Sequence, residues 1–521
     1  MKKYIFGLIL IFFSVFASCD NNKEEDEDLN APRLPHDGIS SIVSLVQSTT
    51  VTNVTQHTYA SIKVLVDEAI ALAGGLQGII KSGDTVVLKP NIITTIYNWS
   101  WPGGTKIPAG ALNTATQAAP NGIVTDWRVV QAVAENVRAI VGSSGRIIVM
   151  ESSGKGNTSQ QYANVGYNLT NLSAVNEILT LDAVGGTYWT NPNPASIPSD
   201  VLKIKLTNPV FKTSFNQSDY NGNQTSPVYK SYDGQGNYFV AKEMYNANAL
   251  ISIPVLKLHT TAGTTGAIKN ISIGATPPRI YGNSASDIGR NFRIPHTESN
   301  GLHKWIADYY SVMPADFVVM DALQGVDQGP LPPAGDASAL KKMNSILASK
   351  DGLAIDVVMS NIIKVNYKKV GHLKYLTERG EVGTKYGKKL AARGNPRNIT
   401  VLGNKKVHDL RTGVNFNGSI TTGLDGSIST TRLSAAQLEK PAVKIESAQF
   451  ADGYLKLNLN VSATTSKVDI YIDDIFFKIV NGDFEETVIN ASEIAEGPRK
   501  ITAYAFTNYM AYEEASIIIN K

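Results

Sequence analysis

Four apolar runs in this chain each end on a charged or amide side chain, and that shared pattern restricts the fold more than any other feature. Leu250-Ile251-Ser252-Ile253-Pro254-Val255-Leu256 leads into Lys257 and His259, and Thr85-Val86-Val87-Leu88 leads into Lys89-Pro90-Asn91. Arg146-Ile147-Ile148-Val149-Met150 ends at Glu151, and Asp316-Phe317-Val318-Val319-Met320 ends at Asp321. Unbroken apolar runs of this length are the signature of strands covered on both faces. Between them lie segments with helical spacing, at 59–74, 126–142, from about 265 onward and at 353–365, and 399–402 offers a last strand. This alternation predicts an α/β fold with a mostly parallel sheet, helices on both faces and long insertions. In such a sheet the strands present their C-terminal ends along one edge, where open α/β folds bind ligands.

The segment after the first run is the richest in chemistry. Lys257 and His259 precede a loop of small residues through Thr264-Thr265-Gly266, and the helix expected next carries Lys269 and Asn270. A strand, a small-residue loop and a helix N-terminus together offer backbone N–H groups and a positive dipole end to an anion. The expected reacting groups are Lys257, His259, Lys269 and Asp321. The expected ligand contacts are Lys89, Asn91, Glu151, Thr264, Thr265, Gly266, Asn270 and Asp356. In one chemical picture the lysines and His259 hold a carboxylate, phosphate or sulfate while a carboxylate orients the ligand or moves a proton. In the other, His259 with Glu151, Asp321 or Asp356 binds a divalent metal. No HxH, HxxxH or HExxH spacing supports a metal, so the anion picture stands first. There is no Walker A loop, no GxGxxG after a strand and no GxSxG elbow. A plainer reading competes for two residues. A lysine at the end of a central strand needs a buried partner, which Glu151 or Asp321 would supply to Lys89 as a structural ion pair. Asp356 in the first turn of a helix is favoured by the dipole alone. The other histidines, His303 and His372 among them, are read as surface or satisfied polar residues, with His296 placed to line a rim.

Lys89-Pro90-Asn91, the segment from Pro254 to Asn270, Val318-Val319-Met320-Asp321-Ala322-Leu323-Gln324-Gly325 with Gly329-Pro330, and Leu347-Ala348-Ser349-Lys350-Asp351-Gly352-Leu353-Ala354-Ile355-Asp356 resemble, in this order, the family catalogued as domain of unknown function 362. The resemblance implies a fold but no established reaction. Some relatives carry ferredoxin-like cysteine clusters, and this chain has a single cysteine, so no iron–sulfur cluster and no electron-transfer role transfer.

The remainder sets compartment and organisation. Lys2 and Lys3 precede an apolar stretch, and Val15-Phe16-Ala17-Ser18-Cys19 resembles a lipobox, so residues 1–18 are expected to be a lipoprotein signal peptide with Cys19 the lipidated residue, carrying palmitate-type chains. Residues 19–35 form an acidic tether, with six acids and one lysine between Asp20 and Asp28, like the tract of surface-exposed lipoproteins in some Gram-negative bacteria. The expected location is therefore the outer membrane, facing outward, with the membrane a partner through the lipid. Net charge is +3 with no Lys/Arg block, which argues against nucleic acid as a partner. Residues 36–438 are assigned to the α/β domain. Two insertions, 92–125 and 153–240, are rich in Asn, Gly, Thr and Tyr; Trp99-Ser100-Trp101 and Tyr188-Trp189 in them could stack on sugar or pin the insertions to the sheet. From 439 to 521, short alternating segments separated by Asp-Gly, Asn-Gly and Glu-Gly-Pro turns predict an immunoglobulin-like β-sandwich. The function expected is binding, or transformation, of a small anionic or glycan-derived ligand at the strand edge; the alternative is a non-catalytic surface glycan-binding or adhesion lipoprotein.

Overall fold

The computed structural model describes residues 41–93, 122–154, 157–189, 194–211, 234–282, 294–295, 301–329, 337–379, 381–382, 388–389, 394–420, 431–482 and 484–521. Cys19, the acidic run, Trp99, Trp101 and His296 lie outside them.

Eight strands make the main sheet: β1 (Ser41–Gln47), β2 (Thr85–Pro90), β3 (Arg146–Glu151), β4 (Glu177–Thr180), β5 (Ala249–Ile253), β6 (Phe317–Val326), β7 (Leu340–Ser349) and β8 (Ile399–Leu402). They lie side by side in the order β8-β1-β7-β6-β5-β2-β3-β4. β7 is antiparallel to both of its neighbours, and every other pairing is parallel. The central strands are apolar in both parities because both faces are covered. Val86, Leu88, Ile147, Val149, Ile251 and Ile253 join one core with α1 (Tyr59–Leu72) and α2 (Trp127–Val141). Val87, Ile148 and Leu250 face a second core with α3 (Ala267–Gly274), α4 (Leu302–Val312), α5 (Gly352–Ile362) and α6 (Gly371–Arg379). Three of these helices start at a capping side chain. Thr58 and Asp126 cap α1 and α2, and Asp351 accepts from the amides of Leu353 and Ala354 at the start of α5.

The long apolar run at 250–256 is two elements rather than one. β5 loses regular strand pairing at Pro254, which has no N–H for the ladder, although Pro254 O and Leu256 N still bond the backbone of Asp321 on β6. Lys257–His259 then pairs antiparallel with Gly263–Thr265 as a separate hairpin. Lys257 therefore sits on a hairpin beyond β5, not on the end of that strand. The hairpin backbone lies so close to the tail of β6 that a Cβ on Gly325 would come within 2.3 Å of Leu256 O, and one on Gly329 within 1.8 Å of Leu258 O. Only glycine fits there, which accounts physically for the Gly325…Gly329 spacing.

Beyond α7 (Val407–Val414), the C-terminal strands β9 (Val443–Ala451), β10 (Tyr454–Val461), β11 (Lys467–Ile472), β12 (Ile475–Val480), β13 (Thr487–Asn490), β14 (Pro498–Phe506) and β15 (Tyr512–Asn520) form two antiparallel sheets, β9-β10-β13 and β12-β11-β14-β15. Leu455, Leu457, Val468, Ile470, Ile501 and Ala503 fill the layer between them. This is the all-β sandwich expected from the turn spacing. It shares polar and apolar contacts with the α/β part. Met510 is buried in the same core as α5, and Arg411 of α7 donates to Tyr509 O at 2.7 Å.

Candidate functional site

From β2 the chain builds outward through β3 and β4, then returns to the other side of β2 with β5, β6 and β7. Strand order thus reverses between β2 and β5, and the C-terminal edge at such a reversal is where open α/β sheets leave a crevice. Residues from five segments meet at this place. Lys89, at the end of β2, is fully buried and its Nζ donates to Glu151 Oε2 at 2.8 Å, to Pro90 O at 2.8 Å and to Asn270 Oδ1 at 3.1 Å. Glu151, at the end of β3, also accepts from Ile92 N at 2.9 Å and Ser152 N at 2.7 Å. Asn270 of α3 returns its amide to Lys89 O and Ser252 Oγ, both at 3.0 Å. Asn91 bridges outward. Its Nδ2 donates to Asn270 Oδ1 at 3.2 Å, and its Oδ1 accepts from Lys257 Nζ at 3.1 Å. Lys257 Nζ donates again to Ile123 O at 2.6 Å.

The local reason for this convergence is strand parity. Val87 and Lys89 share a face of β2, as do Leu250 and Ser252 on β5, so Lys89 and Ser252 both meet α3. Lys89 and Glu151 are thereby spent on one another and on the loops that follow their strands. Lys257 is fully buried as well, and the acceptors shown for it are neutral oxygens. Thr265 faces Lys257 across the hairpin, so the two side chains share a face. Its hydroxyl is buried without a hydrogen-bond partner among the described residues.

The remaining expected residues stand apart from this network. Asp356, in the first turn and a half of α5, occupies the N-terminus of α3: its carboxylate accepts from Ala267 N at 2.7 Å and Ile268 N at 3.1 Å. A Cβ on Gly266 would lie 2.1 Å from Asp356 Oδ1, so Gly266 is what lets the carboxylate reach those amides. The helix N-terminus expected to receive a ligand is therefore filled by the protein's own anion. Burial pushes the Asp356 carboxyl up to about 7 against the two amides that favour its charge. Asp321 is held by Asp126 N at 2.9 Å and Leu323 N at 3.1 Å, and burial followed by the Asp126 charge pushes it up to about 7. His259 is half-buried at the hairpin turn, its Nδ1 facing Thr261 and the amide of Ala262.

Lys269 points elsewhere. It is 9% exposed and lies near two histidines that sequence reasoning had set aside. His303 of α4 and His372 of α6 are stacked with ring centroids 5.0 Å apart, and their Nδ1 atoms are 2.8 Å apart. His372 Nε2 stands 3.5 Å from Thr264 Oγ1. The signal that could have found the pair is Gly371, since a Cβ there would meet the His303 ring at 2.8 Å. No group of three or more His, Cys, Asp or Glu able to hold a metal is found among the described residues. Trp189 is a core residue, edge-on to Phe239 at 4.8 Å with its indole N–H on Gly185 O.

Residues 208–361 match the family described as "Domain of unknown function (DUF362)", a stretch that takes in β5, the hairpin, α3, α4, β6, β7 and most of α5. No curated protein matches the sequence. Among solved structures the chain is similar to the lactate racemase apoprotein from Thermoanaerobacterium thermosaccharolyticum, at 11% identity over 66% of this chain and 58% of that one, with a TM-score of 0.29. It is similar over 20% of its length to 38% of the Clostridium perfringens spore cortex lytic enzyme SleM, at 18% identity and a TM-score of 0.16. Over 15% of its length it is similar to 94% of the fibronectin(III)-like modules of Clostridium thermocellum CbhA, at 20% identity and a TM-score of 0.14. The chain thus spans less than two thirds of the racemase and of SleM, and likenesses this low carry no chemistry across.

Proposed function

We propose that the α/β domain binds a small anionic ligand (a phosphate, sulfate or carboxylate, including those of a sugar acid or sugar phosphate) at the C-terminal edge of the sheet between β2 and β5. The observation that carries this reading is the coincidence of the strand-order reversal with a linked set of polar side chains, Lys89, Asn91, Lys257 and Asn270. Within the set the roles differ. Lys89 and Glu151 lock the loops after β2 and β3, Asn91 aims Lys257, and Lys257 with the Thr265 hydroxyl receives the anion. A charge-assisted contact of this kind contributes roughly 1.5–3 kcal/mol. Because Lys257 is fully buried, association requires the edge to open and should run below about 10⁵ M⁻¹s⁻¹. The lipobox and acidic tether support placing this domain outside the cell as a lipoprotein anchored in the outer membrane through Cys19. No helix among the described residues is long and apolar enough to cross a membrane. Calorimetric titration of the full chain with inorganic phosphate, sulfate, acetate and glucuronate tests the site. Saturable heat with at least one of them, absent in Lys257→Met, is expected; no heat with any of the four overturns it. Incorporation of radiolabelled palmitate that vanishes in Cys19→Ala tests the anchor, and equal labelling of both proteins overturns it.

A further inference from the structure

The His303–His372 pair is used by nothing described so far. His303 is 3% exposed and His372 fully buried, and they tie together α4, α6 and, through Thr264, the hairpin whose other face carries Lys257. At 2.8 Å between Nδ1 atoms, one hydrogen lies between the rings: one Nδ1–H donates and the other Nδ1 accepts. A second proton would set N–H against N–H in a site closed to water, and would create a cation beside Lys269. Among the described residues, the charged groups on the facing elements are already engaged or are themselves cations. From α3 comes Lys269. From α5 come Asp356, engaged by the amides of Ala267 and Ile268, and Asp351, engaged by those of Leu353 and Ala354. Asp308 on α4 is paired with Arg379 of α6 at 2.7 Å, the hairpin meets His372 through the Thr264 hydroxyl, and the short turn before α6 holds Lys368, whose Nζ lies over the Tyr509 ring, and exposed Lys369.

We propose that His303 and His372 form a buried proton latch that holds α4, α6 and the 257–265 hairpin together near neutral pH and releases them in acid. Burial, then His303, then Lys269 hold the His372 imidazole well below its ordinary value of 6.5, in agreement with this geometry. The sign follows. A histidine depressed in the folded state lets the unfolded chain take up more protons, so stability is present above pH 6.5 and is lost as pH falls below it. Asp321 and Asp356, raised to about 7, act in the opposite direction, and His57 and His408 are also depressed. The test is therefore differential, and it stands independently of the ligand reading.

Thermal melts of the full chain between pH 8 and 5 compare wild type with His372→Asn and Lys269→Met. The acid loss of melting temperature should be largest in wild type, smaller in Lys269→Met, where one repelling charge is gone, and smallest in His372→Asn. Parallel pH profiles for wild type and Lys269→Met overturn the proposal. Should His372→Asn not fold, hydrogen exchange on wild type decides. Amides of α6 should lose about tenfold protection between pH 7 and 5.5 beyond the intrinsic change, while those of α2 do not. Equal behaviour of α2 and α6 overturns it.

Discussion

Two of the described regions that bury cations use them for different ends. At the β2–β5 edge, Lys89 meets a full carboxylate, while Lys257 meets an amide oxygen and a carbonyl. At the seam between the α/β part and the sandwich, Arg411 is 1% exposed and satisfied by the carbonyls of Tyr509 and Asn361. Lys467 donates to Ile399 O and pairs with Asp469, and Lys406 lies 4.7 and 4.3 Å from the ring centroids of Tyr471 and Tyr504. The seam's cations mostly grip groups that belong to the opposite half, and between them Met510 enters the α/β core at a positive φ of 56°. They act as welds. The edge instead holds a graded set, from a lysine wholly consumed by the fold to one positioned by it. A buried cation is thus a structural device by default, and its partners decide whether it can also serve a ligand.

Substitutions separate the two uses. The largest loss is expected for Lys89→Met, which leaves Glu151 buried without its cation and should cost about 3–5 kcal/mol in denaturant unfolding. A change under about 1 kcal/mol would mean that the strand-end pair is not what locks the edge. At the seam, Met510→Ala removes a buried side chain and relieves none of the backbone strain, for an expected loss of about 2–5 kcal/mol. It should lower a single unfolding transition shared by both halves. Two separated transitions in wild type would show that the sandwich is only tethered. Lys406→Met keeps the apolar stem but deletes the cation between two rings, and should cost about 0.5–2 kcal/mol with binding at the edge unchanged.

Much of this was legible in the sequence because it depends on local pattern. The apolar runs at 85–88, 146–150, 250–256 and 317–320 each mark a strand, and Lys89 and Glu151 stand at the ends of theirs, whereas β6 runs on to Val326 and leaves Asp321 inside a strand rather than at its end. Three strands of the main sheet were not legible. β1 follows directly on a polar tract, β4 is half-buried and short, and β7 begins Leu-Lys-Lys, so none shows the continuous run that marked the others. The sequence pattern suggests a single cluster, whereas the Lys269 charge acts on His372 while Asn270, one residue on, bonds Lys89. Helical geometry sends neighbours about 100° apart, and sequence alone does not say which of two adjacent polar residues faces the sheet. Nor does it reveal that Asp356, 89 residues on from Ala267, fills the start of α3. His303 and His372 gave no periodic signal, since their meaning lies in a contact between two helices 69 positions apart.

The division of labour at the edge is tested most directly by one paired measurement on Lys257→Met, unfolding free energy and calorimetric phosphate titration on the same preparation. Its bonds to Asn91 Oδ1 and Ile123 O are charge-assisted and contribute roughly 1.5–3 kcal/mol each, against the several kcal/mol that burying an ammonium costs, so the fold should lose no more than about 2 kcal/mol while saturable binding disappears. A loss of about 3–5 kcal/mol like that expected for Lys89→Met, or binding that survives the substitution, would contradict the account and make Lys257 another weld.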